Sequence, residues 1–241
     1  MKGLKFYAIG LAAVLMLNSC GMSNTAKGGL IGGGSGAALG ATLGALIAKS
    51  GSKGKWAAIG GGIGAAAGTA AGLIIGKKMD KAKKEAEAIA NAKVEDAVDA
   101  NGYQAVKVTF ESGILFPTSS STLGAAAQSS LTQFAQNVLA ANPDMNVGIV
   151  GYTDNTPFKN STAEQSVQKN QQLSLQRAQA VSAFLQSHGA ATSQIKEVAG
   201  LGESNPVADN STAAGKQQNR RVEVYLYASQ EMIQAAQAQS N

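Results

Sequence analysis

Apolar residues give way to polar ones in the stretch Val147-Gly-Ile-Val-Gly-Tyr-Thr-Asp-Asn-Thr156. Its first part, Val147–Gly151, has the length and composition of a buried strand. Asp154 and Thr156 follow directly, and ligands tend to lie beyond the carboxyl ends of strands in open α/β sheets. The stretch therefore predicts a strand with binding residues at its carboxyl end.

Arg177 is expected on a helix over residues 170–187, on the face that carries Asn170 and several apolar side chains. A permanent cation on such a face needs a partner, because burying an unpaired charge is costly. Asp154 is the best candidate. The two side chains can neutralise each other in an internal ion pair, or they can hold a zwitterionic ligand between them. The residues alone leave both interpretations open.

The remaining elements predict a two-layer α/β sandwich with a mixed sheet over residues 102–228. Strands are expected at 105–110, 146–151, 196–200 and 220–227, and helices at 123–141 and 170–187. Residues 157–169 are expected to form a long loop. The Lys-, Glu- and Ala-rich stretch 78–98, within a linker 78–101, is predicted to be a solvated helix. The polar tail 229–241 is expected to fray.

Four motifs in residues 106–227 resemble the C-terminal domain of the outer-membrane protein A family. They are Gly-Tyr-Thr-Asp-Asn-Thr (151–156), Asn170-x-x-Leu173-Ser174-x-x-Arg177-Ala178-x-x-Val181, Gly200-x-Gly202-Glu203-x-x-Pro206, and Gly215-x-x-x-Asn219-Arg220-Arg221-Val222-Glu223. The resemblance implies a βαβαββ fold that binds peptidoglycan non-covalently through the diaminopimelate of its stem peptide.

The same resemblance implies the roles of the site residues. Asp154 would take the ligand ammonium and Arg177 its carboxylate, with contributions from Asn170 and Thr156. This assignment suits the chemistry, because a carboxylate accepts from an ammonium group and a guanidinium can grip a carboxylate with two parallel bonds. Two further candidates at the start of the last strand are Arg220 and Arg221, of which at least one can be purely structural.

Residues 1–19 predict a lipoprotein signal peptide, with a basic end and a short apolar run. Leu17-Asn18-Ser19-Cys20 resembles a bacterial lipobox, which implies cleavage before Cys20 and acylation of that residue. Residues 20–26 would then be a lipidated tether, and ordinary secretion is the alternative. Cys20 is the chain's only cysteine, so no internal disulfide is expected. Gly21 stands where an aspartate would favour the inner membrane, so we expect a lipid anchor in the outer membrane with the C-terminal domain in the periplasm.

Glycines recur at every fourth position in residues 27–77, in the series 28, 32, 36, 40, 44 and 60, 64, 68, 72, 76. On a helix this spacing allows close approach of another backbone. Each of two lysine pairs brackets 21 uncharged residues, about the apolar thickness of a bilayer. The segment resembles the glycine-zipper region of some lipoproteins. A membrane-embedded helical hairpin, a self-associating plug outside lipid and a flexible linker all remain open.

Composition argues against several functions. Removal of Lys2 and Lys5 with the signal peptide lowers the formal charge from +5 to +3, a weak excess that does not indicate nucleic-acid binding. His188 is the only histidine, so we expect no metal site, no cofactor and no enzyme. The leading hypothesis is a tether between outer-membrane lipid and peptidoglycan. The alternatives are an oligomeric channel or plug formed by the glycine-zipper helices, and a wall-modifying enzyme with Asp154 and Glu203 as its carboxylate pair.

Overall fold

The computed structural model describes residues 69–117 and 119–240, together with residues 44, 46 and 47. The predicted signal peptide, Cys20 with its tether, and the rest of the predicted hairpin up to residue 68 lie outside the described residues. Within the described ranges, none of the helices combines the length and apolar composition that a membrane crossing requires.

The described residues form one mixed sheet of five strands in the order β1-β2-β5-β3-β4. β3 and β4 run parallel, and the other neighbouring strands run antiparallel. The strands are β1 Ala92–Val98, β2 Gln104–Glu111, β3 Met145–Tyr152, β4 Ile195–Gly200 and β5 Arg221–Ala228.

Helices cover one face of this sheet and bury alternate residues of β2, β3 and β5 in a single core. They are α1 Ala70–Glu87, the single turn α2 Ser112–Leu115, α3 Ala125–Gln133, which continues as a π-helix over Phe134–Leu139, α4 Ala163–Ser187, α5 Ala213–Asn219 and α6 Gln230–Gln239. The predicted two-layer sandwich with a mixed sheet is confirmed.

The prediction of a solvated helical linker over residues 78–98 is confirmed as a helix only up to Glu87, and it is wrong for residues 92–98 and for the buried face of the helix. α1 ends at Glu87, and β1 then pairs with β2 through a turn at Asn101-Gly102, where Gly102 has a φ of +84°. Apolar residues spaced three and four apart in α1, among them Ile75 and Met79, are fully buried. Lysines and glutamates dominate the composition but leave this stripe intact. The domain therefore begins near residue 70, inside the predicted hairpin and not at residue 102.

The C-terminal tail is also ordered, contrary to the prediction. α6 begins after Ser229, whose hydroxyl accepts a hydrogen bond from the backbone N–H of Met232 at 3.1 Å. Met232, Ile233 and Ala236 are buried, and α6 packs against α1. Three apolar residues on one helical face are sufficient to anchor an otherwise polar segment.

α4 begins at Ala163, seven residues before the predicted start at 170, so the long loop predicted over 157–169 ends at Thr162. The Thr162 hydroxyl accepts from the backbone N–H of Gln165 at 3.2 Å, and the Gln165 side chain accepts from the backbone N–H of Thr162 at 3.0 Å. This reciprocal pair is a capping box. Its Thr-x-x-Gln signature is present in the sequence and marks the true start of the helix.

Two glycines let α4 lie directly on the carboxyl ends of β3 and β4. A Cβ at Gly151 would lie 2.1 Å from the carbonyl oxygen of Ser174, and a Cβ at Gly200 would lie 2.2 Å from the backbone nitrogen of Leu175. Real Cβ atoms do not approach so closely, so only glycine fits at these positions. The contact places the helical residues 170–177 beside the end of β3.

Candidate ligand-binding site

The register of the sheet brings Arg220 to Asp154. Tyr152, the last residue of β3, pairs with Arg221, the first residue of antiparallel β5, so the residues just outside both strands meet at the same edge. Arg220 Nη1 donates a short, charged hydrogen bond to Asp154 Oδ2. The Asp154 side chain is buried, whereas the Arg220 side chain keeps 36% of its surface exposed.

Asp154 is held as an anion. Its Oδ1 accepts from the backbone N–H of Thr156 at 2.8 Å. Burial by itself would raise the pKa of this carboxyl, but the hydrogen bonds from Thr156 and the hydrogen bond and charge of Arg220 outweigh it and lower the pKa below its ordinary value. At neutral pH the end of β3 therefore presents a fixed carboxylate.

Arg177 lies nearby, only 3% exposed, and its contacts come from the loop after α2. Its Nε donates to the carbonyl oxygen of Ser120 at 3.0 Å, and its guanidinium carbon lies 5.3 Å from the ring centre of Phe116. Its terminal Nη groups donate to no residue that the structure describes. Among the described residues, the four terminal N–H donors of this buried cation therefore have no acceptor.

Asp154 and Arg177 do not form the direct ion pair that the sequence left open. Their charges still interact electrostatically. Burial lowers the pKa of Arg177, the charge of Arg220 lowers it further, and the charge of Asp154 opposes both effects. Of the two interpretations left open, the internal ion pair is not formed, because the strand register brings a different arginine to the carboxylate.

Asn170 and Thr156 complete the predicted set. Asn170 is buried in α4, and its amide donates to the carbonyl oxygen of Thr156 at 3.4 Å and to Glu203 Oε2 at 3.2 Å. Lys216 of α5 donates to the Thr156 hydroxyl at 3.3 Å. The predicted residues Asp154, Asn170 and Thr156 therefore lie together, and the structure adds Glu203 and Lys216 beside them.

Arg221 lies on the opposite face of the sheet from the helices and is not brought into the site. Its Nε donates to Glu223 Oε1 at 2.7 Å, and its guanidinium stacks 3.7 Å from the ring centre of Tyr152. Its terminal nitrogens donate to the carbonyl oxygens of Asn219 and Asn205. All these contacts are internal, so of the two candidate arginines Arg220 lies at the site and Arg221 is structural.

Sequence reasoning did not find the contacts of Ser120, Glu203 and Lys216 with the predicted residues. Ser120 contacts Arg177 through its backbone carbonyl oxygen, which every residue type has, so the contact cannot be read from the sequence. Glu203 and Lys216 approach from the loop after β4 and from α5, a short helix that was not predicted. Only the pairing of β5 with β3 brings these segments to the end of β3.

Two family models match this chain. The OmpA family model matches residues 115–220, which include the entire site, and the YMGG-like Gly-zipper model matches residues 1–80. The crystal structure of a MotB-like protein from Desulfovibrio vulgaris is similar with a TM-score of 0.53 at 19% identity, over 66% of this chain and 99% of that chain. This likeness bears on the fold alone.

Two curated relatives share part of the sequence. The outer-membrane lipoprotein YfiB of Pseudomonas aeruginosa is 38% identical over 115 residues, which are 48% of this chain and 62% of YfiB. The peptidoglycan-binding protein ArfA of Mycobacterium tuberculosis is 43% identical over 88 residues, which are 36% of this chain and 24% of ArfA. This chain thus spans less than two thirds of either relative. It carries an OmpA-family domain in residues 115–220 and a YMGG-like Gly-zipper segment in residues 1–80.

Proposed function

We propose that this protein is a lipoprotein of the outer membrane that binds peptidoglycan without cleaving it and so ties the membrane to the cell wall. The observation that carries the proposal is the buried Arg177 near the carboxylate of Asp154, with terminal N–H donors for which the described residues supply no acceptor. The OmpA-family match covers both residues. The names of the two relatives, an outer-membrane lipoprotein and a peptidoglycan-binding protein, support the location and the ligand.

The ligand chemistry follows from these two charges. The free α-amino acid end of diaminopimelate carries one ammonium and one carboxylate group. Asp154 is an anion at neutral pH and would accept hydrogen bonds from the ammonium group. Arg177 remains a cation despite its lowered pKa, because a guanidinium does not lose its proton near neutrality. Its two terminal nitrogens offer the parallel donors that a carboxylate takes.

We propose that Arg220 moves when this ligand binds, because its guanidinium already contacts Asp154 Oδ2, an oxygen that the ligand ammonium would approach. Its partly exposed side chain can swing without disturbing the core. Once displaced, Arg220 lies close enough to add a second cation near the ligand carboxylate, since its charge already acts on Arg177. In the free protein, the Arg220 guanidinium thus takes the place on Asp154 that we propose for the ligand ammonium.

The remaining parts of the chain supply the membrane end of the tether. The lipobox-like Leu17-Asn18-Ser19-Cys20 supports acylation of Cys20, and acyl chains add about 0.8 kcal/mol of membrane affinity for each buried CH₂ group. The glycine zipper supplies helix–helix contacts, which include self-association. A single weak wall site gains from the repeating polymer, where rebinding at high local concentration raises avidity.

The test uses the mature lipoprotein in detergent with purified sacculi. We expect it to sediment with the sacculi, to be released by free diaminopimelate, and to leave the supernatant without soluble wall fragments. A protein that stays in the supernatant at every sacculus concentration contradicts wall binding. Release of muropeptides would contradict a non-enzymatic tether. Radiolabelled palmitate that does not enter the mature protein would refute the lipid anchor.

A further inference from the structure

β5 is buried on both of its faces, although α1–α6 cover only one. Its even-numbered residues from Val222 to Ala228 join the core under the helices. Its odd-numbered residues point to the other face of the sheet and are equally buried. Two of them, Tyr225 and Tyr227, belong there to a separate apolar cluster, here called the tyrosine face, whose sheet residues are Ala105, Val150, Tyr152, Tyr225 and Tyr227.

Two residues of the glycine-rich segment lie on this face. Leu46 is 1% exposed and Ile47 is 6% exposed, and both belong to the same cluster as the three tyrosines. Both residues are helical. No residue of α1–α6 takes part in this cluster. Among the described residues, the apolar ones that pack on the tyrosine face from outside the sheet and its edge loops are therefore Leu46 and Ile47.

The tyrosine face is buried and apolar, and the hydroxyl of its central Tyr225 is hydrogen-bonded within the sheet, so the face offers aromatic rings to apolar partners. The Tyr225 hydroxyl donates to Glu223 at 2.5 Å, and the guanidinium of Arg221 stacks on the ring of Tyr152. Burial, with the charges of Glu197 and Asp99, raises the pKa of Tyr227 to about 12. A surface of this kind favours branched aliphatic side chains.

We propose that Leu46 and Ile47 of the glycine zipper dock on the tyrosine face and form an interface within the chain, between the zipper segment and the OmpA-family domain. This goes beyond wall binding, because it joins the membrane end of the protein to the wall-binding end. Leu46 and Ile47 cannot lie on the sheet and at the same time contact lipid or a second zipper. Docking therefore competes with membrane insertion and self-association of this part of the zipper.

The chain between the two parts is long enough for this contact. Residues 48–68 lie between Ile47 and Thr69, and such a stretch spans up to roughly 70 Å when extended. A domain of this size is roughly 30–40 Å across. A tether of that length holds the zipper at a high local concentration near the sheet, so a small apolar contact is sufficient to populate the docked form.

The first test measures nitration of each tyrosine in the mature lipoprotein in nanodiscs by mass spectrometry. Tyr103 lies in the core under the helices, whereas the other tyrosines after the signal peptide, Tyr152, Tyr225 and Tyr227, lie on the tyrosine face. Burying two aliphatic side chains favours the docked form by a factor of roughly ten or more. We therefore expect the double variant Leu46→Asp/Ile47→Asp to nitrate the three face tyrosines roughly tenfold faster.

Tyr103 and a matched variant supply the controls. Leu73 is 61% exposed on α1, so Leu73→Asp is expected to leave every tyrosine rate unchanged. Tyr103 is expected to react at the wild-type rate in both variants. Unchanged rates at the three face tyrosines in Leu46→Asp/Ile47→Asp overturn the proposal.

A cross-linking experiment decides the case if Tyr103 also reacts faster, which would indicate unfolding. Leu201 packs against the tyrosine face from its edge. We expect a short bismaleimide to join Ile47→Cys to Leu201→Cys within one chain and to leave the pair Leu73→Cys and Leu201→Cys unjoined. Absence of the 47–201 cross-link, or its formation only between two chains, overturns docking within the chain.

Discussion

Arg220 donates to the buried carboxylate of Asp154, and this ion pair occupies the carboxyl end of β3 in the free protein. The other arginine of the site, Arg177, is anchored separately by the carbonyl of Ser120. One acid thus lies between two cations, only one of which touches it. Arg220 is partly exposed, whereas Arg177 is buried. Substitution of each arginine therefore has a different expected effect.

Arg177→Lys is expected to weaken sacculus binding by roughly tenfold or more while the domain stays folded, because lysine keeps the charge but loses the planar pair of donors. Sedimentation with sacculi measures the binding, and a thermal melt measures the fold. Lys159→Arg, at an exposed position in the loop after β3, is the matched control and is expected to bind as the wild type. Wild-type binding by folded Arg177→Lys would remove Arg177 from the site.

Arg220→Ala is expected to raise the pKa of Asp154 toward its ordinary value, while the hydrogen bonds from Thr156 keep part of the shift. A depressed carboxyl pKa stabilises the fold above the unfolded value near 3.8, and this stabilisation is lost as the pH falls through the folded pKa. The difference in stability between wild type and variant should therefore shrink below about pH 4.

Carbon-detected NMR titration of the Asp154 carboxyl measures this pKa, and urea unfolding at several pH values measures the stability. Lys159→Ala is the control and should leave both quantities unchanged. An Asp154 pKa that is the same in Arg220→Ala and wild type would show that the ion pair does not set the charge of the site.

Gly151→Ala is expected to destabilise the domain by about 2–4 kcal/mol, because the new methyl group would lie 2.1 Å from the carbonyl oxygen of Ser174 and push α4 off the sheet. Gly113→Ala is the matched control, since a Cβ there meets nothing within 4 Å. Its free energy of unfolding should change by less than about 1 kcal/mol. Denaturant unfolding measures both variants, and equal stabilities would contradict the close approach of α4.

Arg221→Met is expected to destabilise the fold by about 3–5 kcal/mol, because it leaves Glu223 buried without its ion partner. The double variant Arg221→Met/Glu223→Leu should regain part of that loss, since neither charge is then left unpaired. Urea unfolding of the single and double variants measures this coupling. Strong loss of sacculus binding by a stable, folded double variant would instead place Arg221 in the ligand site.

A fragment of residues 69–240 is expected to fold, whereas a fragment of residues 102–240 should melt roughly 10 °C lower or not fold. The shorter fragment lacks α1 and β1 and therefore loses the buried Ile75 and Met79. Circular dichroism melts of the two fragments measure the difference. Equal melting temperatures would restore the boundary at residue 102.

The sequence predicted the parts of the fold whose signal is local. β2 to β5 fall within two residues of their predicted bounds, because each has a run of apolar or alternating residues. A helix was predicted across α1, but its packing in the domain was missed, and α6 was missed altogether, since the composition around their buried residues is polar. In both, packing against the rest of the domain outweighs local composition.

The sequence predicted which residues belong to the site better than it predicted which of them contact each other. Asp154, Asn170 and Arg177 lie on segments that local motifs place near the end of β3. The choice of Arg220 as the partner of Asp154 depends on β5 lying next to β3, with Tyr152 opposite Arg221. That register is a long-range property of the sheet, and no spacing within the sequence encodes it.

Whether Asp154 and Arg177 hold an external zwitterion can be seen in a structure of the protein with a bound diaminopimelate stem peptide. We expect the ligand ammonium on the Asp154 carboxylate, the ligand carboxylate on the terminal nitrogens of Arg177, and Arg220 displaced from Asp154. A ligand bound elsewhere, with the Arg220–Asp154 pair intact, would contradict it.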